Sequence, residues 1–297
     1  MNKKKISFVI TEKLNSWIKT LPEDLRKEVE ENIFVSGGCI ASMLLNEPVN
    51  DYDVYFTNSK VLKKVVDHYL KALPSKTNKR VGEINSLDHG NSVEIVIKSQ
   101  GVASGDGDEI SEYEYFENAD EHTVTSFVEK LIVSDKKLHL YKPLLFTSNA
   151  ISLSNDIQII TRFCGSSEEV HKNFDFIHAT NTFSLTEGLK LRPEAVECIL
   201  MKELRYNGSL YPVAALFRLR KFIQRGWKVN AGQMFKIAYD IAQLDLNDVM
   251  ILRDQLIGVD VAYFHEVLEK LQHSETSEQI DRTYLFSVLN NIFDGEE

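Results

Sequence analysis

Two aspartates one residue apart, Asp51 and Asp53, stand at the head of an apolar run, thirteen residues after the glycine pair Gly37 and Gly38 in VSGGCIASMLLNEPVNDYDVYF. In an extended chain residues i and i+2 share a side, so the two carboxylates converge while Tyr52 and Val54 point the other way. Adjacent carboxylates repel one another unless a cation lies between them. Hard divalent ions such as Mg²⁺ accept such oxygens and keep open positions for substrate phosphates. The glycines follow the apolar stretch IFV and precede the helical pattern CIASMLLN, which predicts a strand-to-helix turn. Glycine there permits a positive φ and close approach of a phosphate, and the helix start supplies unpaired N–H groups and partial positive charge.

The elements that must hold these groups are legible as two regions. Up to residue 186, short β-rich runs (IFVSGG, DYDVYF, VEIVIK, IQIITRF, FDFIHA) alternate with helical patterns such as SKVLKKVVDHYLKAL, the signature of an α/β domain with a mixed sheet. From 187 to 297 helix follows helix. Pro193 suits the first turn of PEAVECILMKELRYNG and Gly208 its end, while Asn230, Asn247 and Ser277 suit the starts of later helices. The acidic, glycine-punctuated tract between about 100 and 125 is expected to be a solvated insertion in the first domain.

Composition narrows the function classes. The 297 residues, 43% of them hydrophobic, suffice for a sizeable core, and the net charge of −10 argues against a uniformly basic nucleic-acid coat. Cys39, Cys164 and Cys198 stand singly, without CxxC pairs or metal-ligand spacing, which fits a reducing, cytoplasmic setting. The basic start MNKKKISFVI has too short an apolar run for a signal peptide, and the sequence has no run long enough to span a membrane. The phosphate loop G-x-x-x-x-G-K-[ST] and the kinase signatures are absent, so phosphoryl transfer by those routes is not expected.

A glycine pair, a helix and then DxD resembles the DNA polymerase beta-like nucleotidyltransferase superfamily, and in particular the start of CCA-adding enzymes and poly(A) polymerases. Ala41 and Ser42 stand where CCA-adding enzymes carry an Arg-Asp pair. Cys39 stands where many members have a serine touching the triphosphate, so Ser36 or Ser42 is expected to supply that hydroxyl beside Gly37 and Gly38. The resemblance implies a third carboxylate on a neighbouring strand. Asp175, in NFDFIHAT after IQIITRF, is the preferred candidate, and Glu94, in SVEIVIK, is the alternative. It further implies two Mg²⁺ ions, or Mn²⁺ in their place. Asp51 and Asp53 would hold both, with Asp175 ligating the second and handling the acceptor's proton, so that a nucleoside monophosphate passes from NTP to a hydroxyl. Phrases such as SNAISL, HKNFDF and GSLYPVAALFRLRKFIQRGW are also similar to nucleotidyltransferase-like proteins of large bacteriophages.

The acceptor is addressed by charge. Between Leu189 and Ile237 ten Lys or Arg face three Glu, a local net of +7 in an acidic chain. Arg218, Lys221 and Arg225 fall at helical spacings and predict a basic stripe for an RNA backbone, with Lys202 and Arg205 expected near the nucleotide. Tyr206, Tyr211 and Trp227 interleave with the stripe as candidate base-stacking groups. The leading expectation is addition to an RNA 3′ end, tRNA-like. The alternatives are nucleotidylation of a protein or small molecule, and a catalytically silent nucleotide- or RNA-binding scaffold.

Overall fold

In the structure, a computed structural model, residues 1–71, 81–99, 140–146, 149–246 and 248–255 are described. The acidic tract, Asn247 and the helix expected after Ser277 lie outside the described residues.

The chain opens with two helices that the sequence patterns did not announce, α1 (Lys3–Ile18) and α2 (Glu23–Asn32). Asn2 caps α1 by accepting from the Lys5 N–H at 2.9 Å. Ile6, Ile10, Leu14 and Trp17 form one buried stripe along it, and the Trp17 indole donates to the Tyr69 hydroxyl at 2.8 Å. Then come β1 (Ile33–Ser36), α3 (Gly38–Leu45), β2 (Tyr52–Phe56) and α4 (Ser59–Lys71), as the glycine turn, the DxD strand and the SKVLKKVVDHYLKAL pattern required.

Among the described residues seven strands make the main sheet. To β1 and β2 are added β5 (Pro143–Phe146), β6 (Ala150–Leu153), β7 (Ile157–Cys164), β8 (Thr182–Ser184) and β9 (Gly188–Lys190), in the order β5-β6-β7-β2-β1-β8-β9. Within this sheet, among the described residues, only the β2–β7 pairing is parallel. It brings Tyr52 opposite Ile157 and Asp53 opposite Gln158. One face of this sheet is core: Val35, Val54, Ile159 and Ile151 are all fully buried. β3 (Val81–Asp88) and β4 (Val93–Ser99) form a separate antiparallel pair.

FDFIHA is not a strand. Asp175 lies in a bend, Phe176 makes a single bridge with Tyr206, and Ile177–Ala179 is a 3₁₀ turn after α5 (Ser167–His171). The alternation of apolar and polar residues imitates a strand. The backbone bonds of Asp175 and Ile177, however, go to Asn207 and Arg205 and not to a sheet neighbour.

The described residues divide into two compact units. The first runs to His171 and includes His178–Met201; the second is Lys172–Ile177 and the chain from Lys202. The division expected at 186/187 thus falls at Met201/Lys202, because β9 completes the main sheet and α6 (Pro193–Met201) packs on α3. Pro193 opens α6 as expected, but that helix stops at Met201, before Gly208, where Lys202 turns left-handed at φ 47°. The second unit contains α7 (Pro212–Gln224), α8 (Ala231–Ile241) and α9 (Val249–Gln255). Asn230 caps α8 as its sequence position promised, accepting from the Gln233 N–H at 3.1 Å. Phe176, Tyr206, Phe222 and Trp227 meet edge to face at centroid distances of 5.6–6.3 Å and form the aromatic heart of this unit. Tyr206 and Trp227 are therefore core residues, buried to 6% and 4% exposure, and not stacking platforms for a base.

Candidate functional site

Gly37 ends β1 with φ 95° and ψ −156° and opens α3, whose N-terminus no side chain caps. Its own N–H donates to the Ala179 carbonyl at 3.0 Å, which fixes the turn. A Cβ on Gly37 would stand 2.6 Å from Asp53 Oδ2, so any side chain there collides with the carboxylate. The absence of that carbon keeps the space over Asp53 open at the point where α3 presents its first-turn N–H groups. Gly38 meets no such neighbour.

Asp51 immediately precedes β2 and is exposed, whereas Asp53 lies within the strand and is half-buried between Tyr52 and Val54. Burial, and then the charge of Asp51, push the Asp53 carboxyl up to about 8. Partial burial and then Asp156 raise Asp51 as well. Asp156 leads into β7 and accepts the Tyr52 N–H at 2.7 Å through its carbonyl, while its carboxylate lies 3.6 Å from Lys13. Among the described residues no hydrogen bond and no cation reaches the Asp53 carboxylate. Two acids held together against their own repulsion, under a turn cleared of side chains, form an oxygen donor set that suits a hard divalent cation.

Ser36 is not placed to greet a triphosphate. Its hydroxyl is fully buried and lies 2.8 Å from the Asn181 carbonyl and 2.9 Å from His171 Nε2. Burial, then Arg192, lowers His171 to about 4, so the ring is neutral near pH 7. With the one hydroxyl proton given to Asn181, the imidazole Nε2–H donates to Ser36. The pair fastens β1 to the chain after α5, a role invisible in the sequence. Ser42 is buried within α3, and Cys39 is buried with its thiol pushed well above the ordinary range by burial and then by Asp53.

The acids named as third ligand have partners of their own. Glu94 is on β4, in the two-stranded sheet, where its carboxylate meets His89 Nε2 at 3.0 Å. Asp175 belongs to the second unit: one carboxylate oxygen accepts the Ser209 hydroxyl at 2.7 Å and the other the Arg218 guanidinium. The strand beside β2, IQIITRFC, carries no acid; opposite Asp53 it has Gln158, a residue that sequence reasoning passed over. Among the described residues no group of three His, Cys, Asp or Glu is arranged for a metal.

The other residues expected to bind nucleotide or RNA are in the second unit. Lys202 follows α6 and accepts the Lys228 N–H through its carbonyl, while Arg205 sits 3.8 Å from Glu203. Arg218 and Lys221 lie on α7 and Arg225 caps its end, so the stripe exists, although Arg218 is already paired with Asp175. No helix among the described residues is long and apolar enough to cross a membrane.

Solved structures similar to this chain include a Thermotoga maritima CCA-adding enzyme complexed with tRNA. It is 11% identical, with 89% of this chain and 53% of that one covered and a TM-score of 0.42. A Bacillus stearothermophilus CCA-adding enzyme in complex with CTP is 12% identical, with 78% and 45% covered and a TM-score of 0.31. Scores this low leave the topology to stand on its own strands and registers. The chain spans about half the length of these enzymes or less. The curated protein Gabija anti-defense 2 of Bacillus phage SPbetaL7 is 23% identical over 123 residues, 41% of this chain and 30% of that one, so the chain covers less than a third of that relative. The model of the Gabija anti-defense 2 family matches residues 9–202, more than half of the 297 residues and all of the glycine turn and DxD strand, and the chain belongs to that family.

Proposed function

We propose that this protein is a divalent-cation-dependent nucleotidyltransferase that modifies a hydroxyl on a component of the Gabija defence. The observation that carries the reading is the Asp51–Asp53 pair beneath a turn where Gly37 leaves no room for a side chain. Asp51 and Asp53 would hold Mg²⁺, whose chemistry when bound is to neutralise a triphosphate and lower the pKa of an attacking hydroxyl. The chain's own part is positional. Gly37 and the start of α3 receive phosphate oxygens, and β2, buried through Tyr52 and Val54, fixes the direction of the Asp53 carboxylate, with Asp51 just ahead of the strand. The attacking oxygen forms a bond to the α-phosphorus as the bond to pyrophosphate breaks, and the hydroxyl proton leaves to solvent or a base.

The family's name, Gabija anti-defense 2, supports an acceptor within the Gabija system. A second reading, addition to an RNA 3′ end, is favoured by the local net charge of +7 between Leu189 and Ile237. The test offers each α-³²P-labelled NTP with Mg²⁺ to purified protein plus extract from cells carrying Gabija, and separates label on protein from label on RNA. Label on protein, dependent on the Gabija genes and lost in Asp51→Asn and Asp53→Asn, is the expected result. Label on RNA transfers the proposal to the second reading. NTP binding with no pyrophosphate release on any acceptor overturns catalysis and leaves a nucleotide-binding protein.

A further inference from the structure

Across the main sheet, Ser36, Asp53, Gln158 and Ser152 occupy one row of paired positions on β1, β2, β7 and β6. Paired residues on adjacent strands project from the same face, so Ser36 and Gln158 flank Asp53 across the strands. Ser36 is engaged inward with His171 and Asn181. Gln158 is half-buried, and its amide nitrogen donates to the Ser152 hydroxyl at 3.4 Å, on the β6 side. That bond uses the amide nitrogen and leaves the carbonyl oxygen to a donor or a cation. Among the described residues nothing donates to that oxygen.

Resting on the nucleotidyltransferase reading, we infer that Gln158 is the third protein donor of the cation site, a neutral carbonyl where a third carboxylate would complete a more strongly charged set. Asp175 and Glu94 cannot supply that donor as they stand, since Asp175 has both oxygens engaged and Glu94 lies in the other sheet. Two carboxylates and one amide carry a formal charge of −2, which balances one divalent ion. A site of this composition holds one ion by itself and takes a second only when the charges of a triphosphate arrive with it. Amide carbonyls are accepted oxygen ligands for hard cations, weaker than carboxylates because they bring no charge.

The experiment counts Mn²⁺ bound to the full chain without nucleotide, by electron paramagnetic resonance of the free ion and by calorimetry. The proteins are wild type, Gln158→Glu, Gln158→Ala and Asp53→Asn, each checked for folding by melting in chelator. Wild type is expected to bind one Mn²⁺. Gln158→Glu is expected to bind the first ion about tenfold more tightly and to admit a second, and Gln158→Ala to weaken the first by about tenfold. Should both Gln158 variants match wild type within twofold while Asp53→Asn loses the ion, the inference falls and the two-aspartate site stands. Should Asp53→Asn bind Mn²⁺ like wild type, the cation site and the function built on it fall together.

Discussion

Asp53, in the first unit, and Asp175, in the second, are both aspartates set among apolar residues, yet their carboxylates meet opposite surroundings. Asp175 is buried with both oxygens occupied, by the Ser209 hydroxyl and the Arg218 guanidinium, and it ties Lys172–Ile177 to the unit in which Phe176 and Tyr206 form their bridge. Asp53 is half-buried beside a second acid, and its carboxyl rises to about 8. A paired buried acid is a structural member. An unpaired one beside another acid is where the proposed cation would bind, and on that proposal the difference separates architecture from chemistry in this chain.

The contrast breaks first under substitution of the DxD pair. Asp51→Asn or Asp53→Asn should lower the rate of nucleotidyl transfer by at least about a hundredfold, roughly 2.7 kcal/mol of barrier, with the fold retained in circular dichroism. Turnover equal to wild type in both variants would remove the site from the mechanism. Gly37→Ala tests the same space from the opposite wall. The added carbon meets Asp53 Oδ2 at 2.6 Å, and φ 95° strains any L side chain, so both stability and NTP affinity should drop.

Asp175→Asn should act on the second unit. Breaking a pair that is buried on one side and 38% exposed on the other is expected to cost about 1–3 kcal/mol in denaturant unfolding, while Mn²⁺ binding stays as in wild type. A double-mutant cycle with Arg218→Leu should recover much of the loss as coupling. If Asp175→Asn instead abolished Mn²⁺ binding at unchanged stability, the two aspartates would share a role and the contrast would be void.

A pH titration of stability sharpens the other side. The Asp53 carboxyl has its folded pKa raised from the 3.8 of an ordinary aspartate to about 8, so between these values the folded state holds more protons than the unfolded state. Its contribution is therefore complete below pH 3.8 and is lost as pH rises toward 8. In chelator, Asp53→Asn should be more stable than wild type at about pH 8, by on the order of 1–3 kcal/mol, and the two should converge near about pH 4. Mg²⁺ should raise wild-type stability at about pH 8 and leave the variant where it was. A difference that grew toward acid pH would show that the carboxylate is stabilised by a partner and not strained by a neighbour.

Much of the first unit was legible because its signals are local. The glycine pair, the helix of CIASMLLN and the DYDVYF strand lie within twenty-two consecutive residues, and each announces its neighbour. What failed to show depended on pairings distant in sequence. That Gln158 lies opposite Asp53 follows only from the parallel pairing of β2 with β7, a crossover of about a hundred residues. FDFIHA alternates like a strand, but among the described residues its ladder is a single bridge, Phe176 to Tyr206. The apolar stripe of α1 is interleaved with a lysine-rich start, which obscures its helical spacing. Tyr206 and Trp227, which their basic neighbours suggested as stacking groups, fill a core that no local pattern foretold.

The smallest expected effect concerns the basic stripe of the second unit. If RNA is bound there, removing one cation that neutralises a phosphate should reduce the slope of log K against log salt by roughly 0.7 for a single strand. Arg218 is held by Asp175, so its charge is largely compensated before any phosphate arrives. Arg218→Gln should therefore lower the slope by clearly less than that amount, with Lys221→Gln and Arg225→Gln measured beside it. Fluorescence anisotropy of a labelled single-stranded RNA across a salt series measures all three. Equal reductions would mean that Arg218 leaves Asp175 when nucleic acid binds, and the second unit's carboxylate would then be released by the ligand, erasing the difference from Asp53. No salt dependence in any variant would leave the local charge of +7 without a nucleic-acid role and favour a protein acceptor.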